Sequence, residues 1–328
     1  MLLLLLSTPV TLVGALYLFG ACLTTGGMIT VPWWKRRSAA LILAGGTVIL
    51  VTILVRVMFP PSGSGLVIDT LPGRTGPRWL NRIFNEQDIV LFGARVAPFI
   101  GAVSPGEADS LVPTLEQAFD EMHHQEATPL SPFLTTYLNQ QQSDGYDAVI
   151  SEPDLDSPVK SGIIFLHGFG GNFTLQCWLV AQIGDRTGAV TVCPSTRPFG
   201  DWWSPQGEAI LRETLGYLQE RGIERIYLAG LSNGGIGVSR LAQRYGNQLA
   251  GLILISGADP SAPITTLPVL VVHGEGDERI PDEIAERYVD AVGSVGRYLL
   301  FEGDHFLLLK QADQVQKAIE DWLIEQDN

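Results

Sequence analysis

Three short stretches of this sequence carry residue types and spacings that suit acyl-transfer chemistry. Gly230-Leu231-Ser232-Asn233-Gly234 follows the apolar run Ile226-Tyr227-Leu228-Ala229 and precedes a helix-like period. It therefore matches G-x-S-x-G with strand, turn and helix in the required order. A serine on so sharp a turn has its hydroxyl lifted clear of the sheet edge, which suits a nucleophile. His167-Gly168-Phe169-Gly170-Gly171 closes a second apolar run. Backbone amides at such a turn stabilise the negative charge that acyl transfer develops on a carbonyl oxygen. The donors expected here are the amides of Phe169 and of Asn233, the residue after the serine. A phosphate-binding loop is excluded: there is no G-x-x-x-x-G-K-[ST], and no G-x-G-x-x-G followed by a ribose-binding acid.

The nucleophile needs a base, and the chain offers five histidines. His123 and His124 are neighbours on the polar side of an early helix. His167 and His273 each precede a glycine at a strand end, where they support a loop. His305, in Gly303-Asp304-His305-Phe306, remains as the general base. Asp277, in His273-Gly274-Glu275-Gly276-Asp277, is the expected acid that holds the imidazole tautomer. Asp304 adjoins His305 but is poorly aimed as a sequence neighbour, and Glu275 and Asp259 are the other carboxylates to weigh.

The elements that must position these groups follow from the hydrophobic pattern. Short apolar runs at 146–151, 161–167, 189–194, 224–230, 251–256, 268–273 and 296–301 alternate with helical periods near 173–187, 206–221, 234–246, 282–293 and 307–326. That alternation predicts a mostly parallel sheet covered by helices on both faces. Uninterrupted runs such as Gly162-Ile163-Ile164-Phe165-Leu166 fit strands buried on both sides. All three motifs fall at the carboxyl ends of such strands, where open sheets place their ligands. Residues 79–145 read differently, as helices without strands. Ser104 and Glu107 have capping-box spacing and open a helix to about Gln125, with Leu111, Leu115, Ala118, Phe119 and Met122 on one face. This segment either decorates the sheet or caps the site.

Composition divides the chain. Only 17% of residues are charged, and the first 68 contain no Asp or Glu and just Lys35, Arg36, Arg37 and Arg56. The remaining 260 hold 35 acids against 17 bases, a net of −18. Residues 2–24 and 39–59 are apolar runs near the ~20 residues that cross a bilayer as a helix. Trp33, Trp34, Lys35, Arg36 and Arg37 between them suit a cytoplasmic membrane boundary. The expectation is a two-span hairpin over residues 1–59, a breaker-rich linker over 60–78, and a non-cytoplasmic body. A cleaved signal peptide fits poorly, because no basic leader precedes the first run. Nucleic acid is excluded as a partner, since no Lys/Arg stripe exists to displace phosphate counterions. Three cysteines do not make a disulfide scaffold. Cys177 and Cys193 are expected as buried thiols, with pairing permitted outside the cytoplasm.

In the order Ser232, Asp277, His305, and with His167-Gly168 and His273-Gly274 at their strand ends, residues 146–328 resemble the α/β-hydrolase superfamily, closest to its carboxylesterase-like and dienelactone-hydrolase-like members. The resemblance implies an α/β-hydrolase fold with an eight-stranded, mostly parallel sheet. It also implies cleavage of an ester, thioester or amide through an acyl-enzyme, without metal or organic cofactor. The substrate class is a small-molecule or lipid acyl compound. Transfer to an acceptor other than water, or an inactive scaffold on the same fold, are the alternatives. Gly257–Leu267 is too short for the helical lid of many members, so any cover comes from residues 79–142 or from Phe199-Gly200-Asp201-Trp202-Trp203, whose Trp202 and Trp203 are expected to line an acyl pocket.

Overall fold

The computed structural model describes residues 10–60, 65–101, 103–125, 130–154 and 158–327. The chain divides into two compact units, Met1–Gly63 with Trp79–Ser131, and Ser64–Arg78 with Pro132–Asn328. The helical segment expected at 79–145 is thus divided at Ser131.

In the first unit, α1 (Leu12–Thr30) and α2 (Lys35–Met58) form the hairpin, and both are long and apolar enough to cross a membrane. Residues 2–9 of the first apolar run lie outside the described residues. Lys35, Arg36 and Arg37 open the second helix instead of lying in the turn before it. Small residues let the two backbones touch: a Cβ on Gly45 would lie 2.4 Å from the Gly20 carbonyl oxygen. Close approach of this kind is how helices associate without a hydrophobic drive. The buried Arg56 donates from Nε to the Arg82 carbonyl at 2.8 Å. Asp88, on α3 (Glu86–Val96), accepts from both the Thr11 amide and hydroxyl at 2.7 Å. The capping box forms as spaced, with Ser104 N donating to Glu107 Oε2 at 2.8 Å and Glu107 N to Ser104 Oγ at 3.2 Å, and it opens α4 (Pro105–Gln125).

The second unit is built on eight strands: β1 (Leu66–Leu71), β2 (Tyr146–Ser151), β3 (Ser161–Leu166), β4 (Ala189–Pro194), β5 (Arg225–Leu231), β6 (Gly251–Ile255), β7 (Val269–Gly274) and β8 (Gly296–Phe301). Their order is β1-β2-β4-β3-β5-β6-β7-β8, antiparallel only across β1–β2 and β2–β4. Seven of these match the apolar runs. The eighth, β1, falls in the stretch expected as linker, of which 61–64 lie outside the described residues. It is an edge strand whose Leu66, Ile68 and Thr70 turn inward while Val67 faces solvent, in register with β2 from Leu66 opposite Ser151 to Leu71 opposite Tyr146. Six residues between breakers carry little periodic signal, so pairing with β2 decides their state.

The central strands have no polar face. Ile163, Ile164, Phe165 and Leu166 of β3 and Val269 to Val272 of β7 are fully buried. Helices cover them: α6 (Thr174–Thr187), α7 (Pro205–Glu220), α8 (Asn233–Tyr245), α9 (Asp282–Val292) and α11 (Ala312–Asp327), with short turns at α5 (Phe133–Tyr137) and α10 (Leu307–Lys310). Ser204 caps α7 through its hydroxyl, which accepts from Gly207 N, and Pro205 starts the helix. Cys177 of α6 and Cys193 of β4 form a disulfide, which corrects the expectation of two free thiols. Only the fold brings the first turns of that helix beside the neighbouring strand end.

Candidate active site

Ser232 occupies the single residue between β5 and α8, with φ 56° and ψ −118°. A non-glycine residue rarely adopts positive φ, so the surrounding contacts must hold it there. They do so from both sides: Ser232 N donates to Ile255 O of β6 at 2.8 Å, and Ile236 N to Ser232 O at 3.0 Å. Gly234 is required by close approach, since a Cβ there would lie 1.9 Å from the Leu166 carbonyl oxygen.

Two loops bring the base and acid to this turn. His305, after β8, has Nε2 2.9 Å from Ser232 Oγ, and its Nδ1 lies 2.7 Å from Asp277 Oδ2. A carboxylate only accepts, so Nδ1 carries the proton and Nε2 is free to take the serine's. Asp277 Oδ1 accepts from the amides of Arg279 at 2.9 Å and Ile280 at 3.0 Å. Burial works against charge on this carboxyl, but hydrogen bonds from His273, His305 and the Ile280 amide outweigh it and hold its pKa well below the usual range. The acid and base loops are bonded to each other, Glu275 N to Phe301 O at 2.9 Å and Gly276 N to Gly303 O at 2.8 Å.

The other carboxylates are engaged elsewhere. Asp304 accepts from Phe306 N at 2.9 Å and from Lys310 Nζ at 2.6 Å. Asp259 accepts from Arg240 Nε at 2.6 Å, and Glu275 is exposed.

Phe169 and Asn233 stand on either side of the serine turn. Gly168, just before Phe169, is close enough that its Cβ would lie 3.0 Å from that of Ser232. Among the described residues, neither the Phe169 nor the Asn233 amide donates to a protein acceptor. Both remain available to a substrate oxygen. The Asn233 side chain donates from Nδ2 to Phe199 O at 2.8 Å, and the Phe169 and Phe199 rings meet with centroids 5.8 Å apart, 66% and 60% exposed. The two rings form an exposed apolar pair next to the serine turn. Phe199 carries no motif, and its location depends on the fold.

Of the tryptophan pair expected to line a pocket, Trp202 belongs to the core. Trp202 is fully buried, donating from Nε1 to His167 O at 2.9 Å and packing where a Cβ on Gly237 would stand. Trp203 is 37% exposed and lies under the Arg240 guanidinium, 4.5 Å from it. His167 braces the same loop, donating from Nδ1 to Gly168 O at 2.8 Å and accepting from Thr196 N at 3.2 Å; burial pushes its pKa down to about 4. His123 and His124 lie on α4 in the first unit. Among the described residues no group of three or more His, Cys, Asp or Glu is arranged to hold a metal ion.

An eight-stranded sheet of this order, antiparallel at its first edge, with an elbow serine after β5, an aspartate after β7 and a histidine after β8, is the α/β-hydrolase fold. Part of the chain is similar to solved structures. Est1E from Butyrivibrio proteoclasticus is 18% identical, with 56% of this chain and 94% of that one covered at a TM-score of 0.47. A thermostable esterase is 24% identical over 55% of this chain and 59% of its own, also at 0.47. The mouse alpha/beta hydrolase domain-containing protein 10 is 17% identical over 56% and 96%, at 0.45. No protein-family model matches the sequence, and no curated protein sequence does.

Proposed function

We propose that this chain is a membrane-anchored serine hydrolase that cleaves a carboxylic ester through an acyl-enzyme. The observation that carries this reading is the continuous chain from Ser232 Oγ through His305 to Asp277, at 2.9 and 2.7 Å. Ser232 attacks the acyl carbonyl as its proton passes to His305 Nε2, and Asp277 stabilises the resulting imidazolium. The amides of Phe169 and Asn233 receive the charge on the carbonyl oxygen. His305 then returns the proton to the departing alkoxide. Water, deprotonated by His305, attacks the acyl-serine and frees the acid and the enzyme.

The exposed Phe169 and Phe199 rings favour a substrate with an apolar group next to its carbonyl. The two apolar helices support anchoring, and a disulfide in the second unit supports a non-cytoplasmic location for it, since such bonds persist in oxidising compartments.

A fluorophosphonate probe is expected to label the full chain and to fail on Ser232→Ala; labelling that survives the substitution overturns the assignment. Turnover of p-nitrophenyl esters is expected to rise with acyl length and to lose that dependence in Phe169→Ala/Phe199→Ala. Reporter fusions after residues 37 and 65 test the orientation. An export-dependent reporter is expected to be active only at residue 65, and activity only at residue 37 reverses it.

A further inference from the structure

The catalytic acid has a second histidine beside it. His273 is the fifth residue of β7, with no exposed surface, and its Nε2 lies 2.8 Å from the Ile280 carbonyl and 3.4 Å from Asp277 Oδ2. A carbonyl only accepts, so the proton sits on Nε2 and is donated to Ile280 O, with the Asp277 carboxylate close by at 3.4 Å. Nδ1 is buried and has no partner among the described residues.

That orphaned nitrogen separates a positioning role from ordinary packing. A buried polar atom left unpaired is destabilising, and an apolar side chain would fill the same space without it. The imidazole therefore has its use at Nε2. There it ties the far end of the acid loop, Ile280 O, back to the strand from which the loop departs. Between those two ends lies Asp277, whose Oδ1 is held by the amides of Arg279 and Ile280. Ile280 is thus fastened through its carbonyl to His273 and through its amide to the carboxylate. The next residue of the strand, Gly274, leaves no room for a side chain against the base loop, where a Cβ would lie 2.7 Å from Gly303 O and 2.8 Å from Asp304 O. With Oδ1 held by the two amides and Oδ2 bonded to His305 Nδ1, the Asp277 carboxylate is fixed facing His305.

We propose that His273 is a positioning residue for the reaction: its Nε2–H fixes the Asp277 loop at Ile280, and through it the orientation of His305 toward Ser232. This rests on the serine-hydrolase reading above. The carboxylate's lowered pKa accords with it, because the donors that hold the charge are the ones that fix the geometry.

The test uses the full chain, with turnover counted per serine titrated by fluorophosphonate. His273→Leu removes the donor. His273→Gln keeps an amide N–H near the Nε2 position. Val271→Ala, two residues earlier on the same buried strand, weakens packing at a position outside the acid loop. We expect kcat to fall roughly ten- to a hundredfold in His273→Leu, as a small misplacement of reacting groups does, with KM within about twofold. We expect His273→Gln to recover most of that loss, and Val271→Ala to lower the thermal midpoint while leaving kcat per titrated site unchanged. Equal kcat in His273→Leu and the wild type overturns the proposal, as does an equal fall in His273→Leu and Val271→Ala. If His273→Leu does not fold, His273→Gln decides against Val271→Ala, and a kcat in His273→Gln as low as in Asp277→Asn overturns it. A wild-type protein that turns over no ester and binds no probe refutes the hydrolase reading itself, a separate outcome.

Discussion

Alanine at Gly234 and at Gly216 is the same substitution with opposite expected signs. At Gly234 the new Cβ would lie 1.9 Å from Leu166 O, against the 3.4 Å at which ordinary contact begins, so about 1.5 Å must be found. The obstacle is backbone of the central strand β3 and not a flexible side chain tip. Overpacking of this kind costs about 1–3 kcal/mol in stability. The helix start must move away from β3, and it carries Ser232 and the Asn233 amide with it. A displacement near 1 Å at reacting groups lowers kcat/KM about a hundredfold. Gly216, within α7, has nothing within 4 Å of its would-be Cβ. There alanine removes only backbone freedom of the unfolded chain and raises stability by about 0.5–1 kcal/mol. Urea unfolding followed by tryptophan fluorescence and p-nitrophenyl ester turnover per titrated serine measure both. Wild-type turnover and midpoint in Gly234→Ala, or a midpoint in Gly216→Ala that falls as far as Gly234→Ala, refutes the close-approach account of the elbow.

Asp277→Asn is expected to keep the fold and lower kcat about 10⁴-fold, because an amide donor at Oδ2 favours the wrong imidazole tautomer; a loss under tenfold in a folded protein contradicts the role of the acid. His167, held neutral by burial with its pKa near 4, makes unfolding take up a proton once pH falls below the free imidazole's 6.5. Stability from this group is therefore intact above about pH 6.5 and erodes toward pH 4, by about 1–2 kcal/mol between pH 7 and 5. His167→Gln should flatten that part of the urea-midpoint profile, and an unchanged slope counts against it. The Cys177–Cys193 bridge spans 16 residues, so Cys177→Ala/Cys193→Ala should lower stability by about 3 kcal/mol at 25 °C. Thiol labelling of the unfolded, unreduced chain should find Cys22 alone; three labelled cysteines refute the bridge.

Much of this molecule is legible in local pattern. Ile163-Ile164-Phe165-Leu166 and its counterparts mark strands because a two-faced buried strand must be apolar throughout, and the spacing around Ser104 specifies its capping box without help from the fold. Gly230, Ser232 and Gly234 are legible for the same reason: a turn that tight tolerates few residues, so its chemistry is written in five consecutive letters. The acidic body and acid-free head are likewise a matter of composition.

Tertiary structure decided what depends on partners far away in sequence. The strand Leu66–Leu71 exists because β2 pairs with it, from Leu66 opposite Ser151 to Leu71 opposite Tyr146. Cys177 and Cys193 are bonded because α6 packs on β4. Trp202 is core and Phe199 is surface, although they stand three residues apart in a single loop, because only the Trp202 ring packs against the helix behind the elbow, at Gly237. Most telling is His273. At a strand end before a glycine it reads as one of two similar loop supports, and the other, His167, is that. The difference is that His273 faces a carboxylate four residues ahead, across a loop bent by its own bonds to Ile280. Sequence specifies which side chains a backbone can accept. The distances between such side chains are set by packing, and it is those distances that make Ser232, His305 and Asp277 a chain.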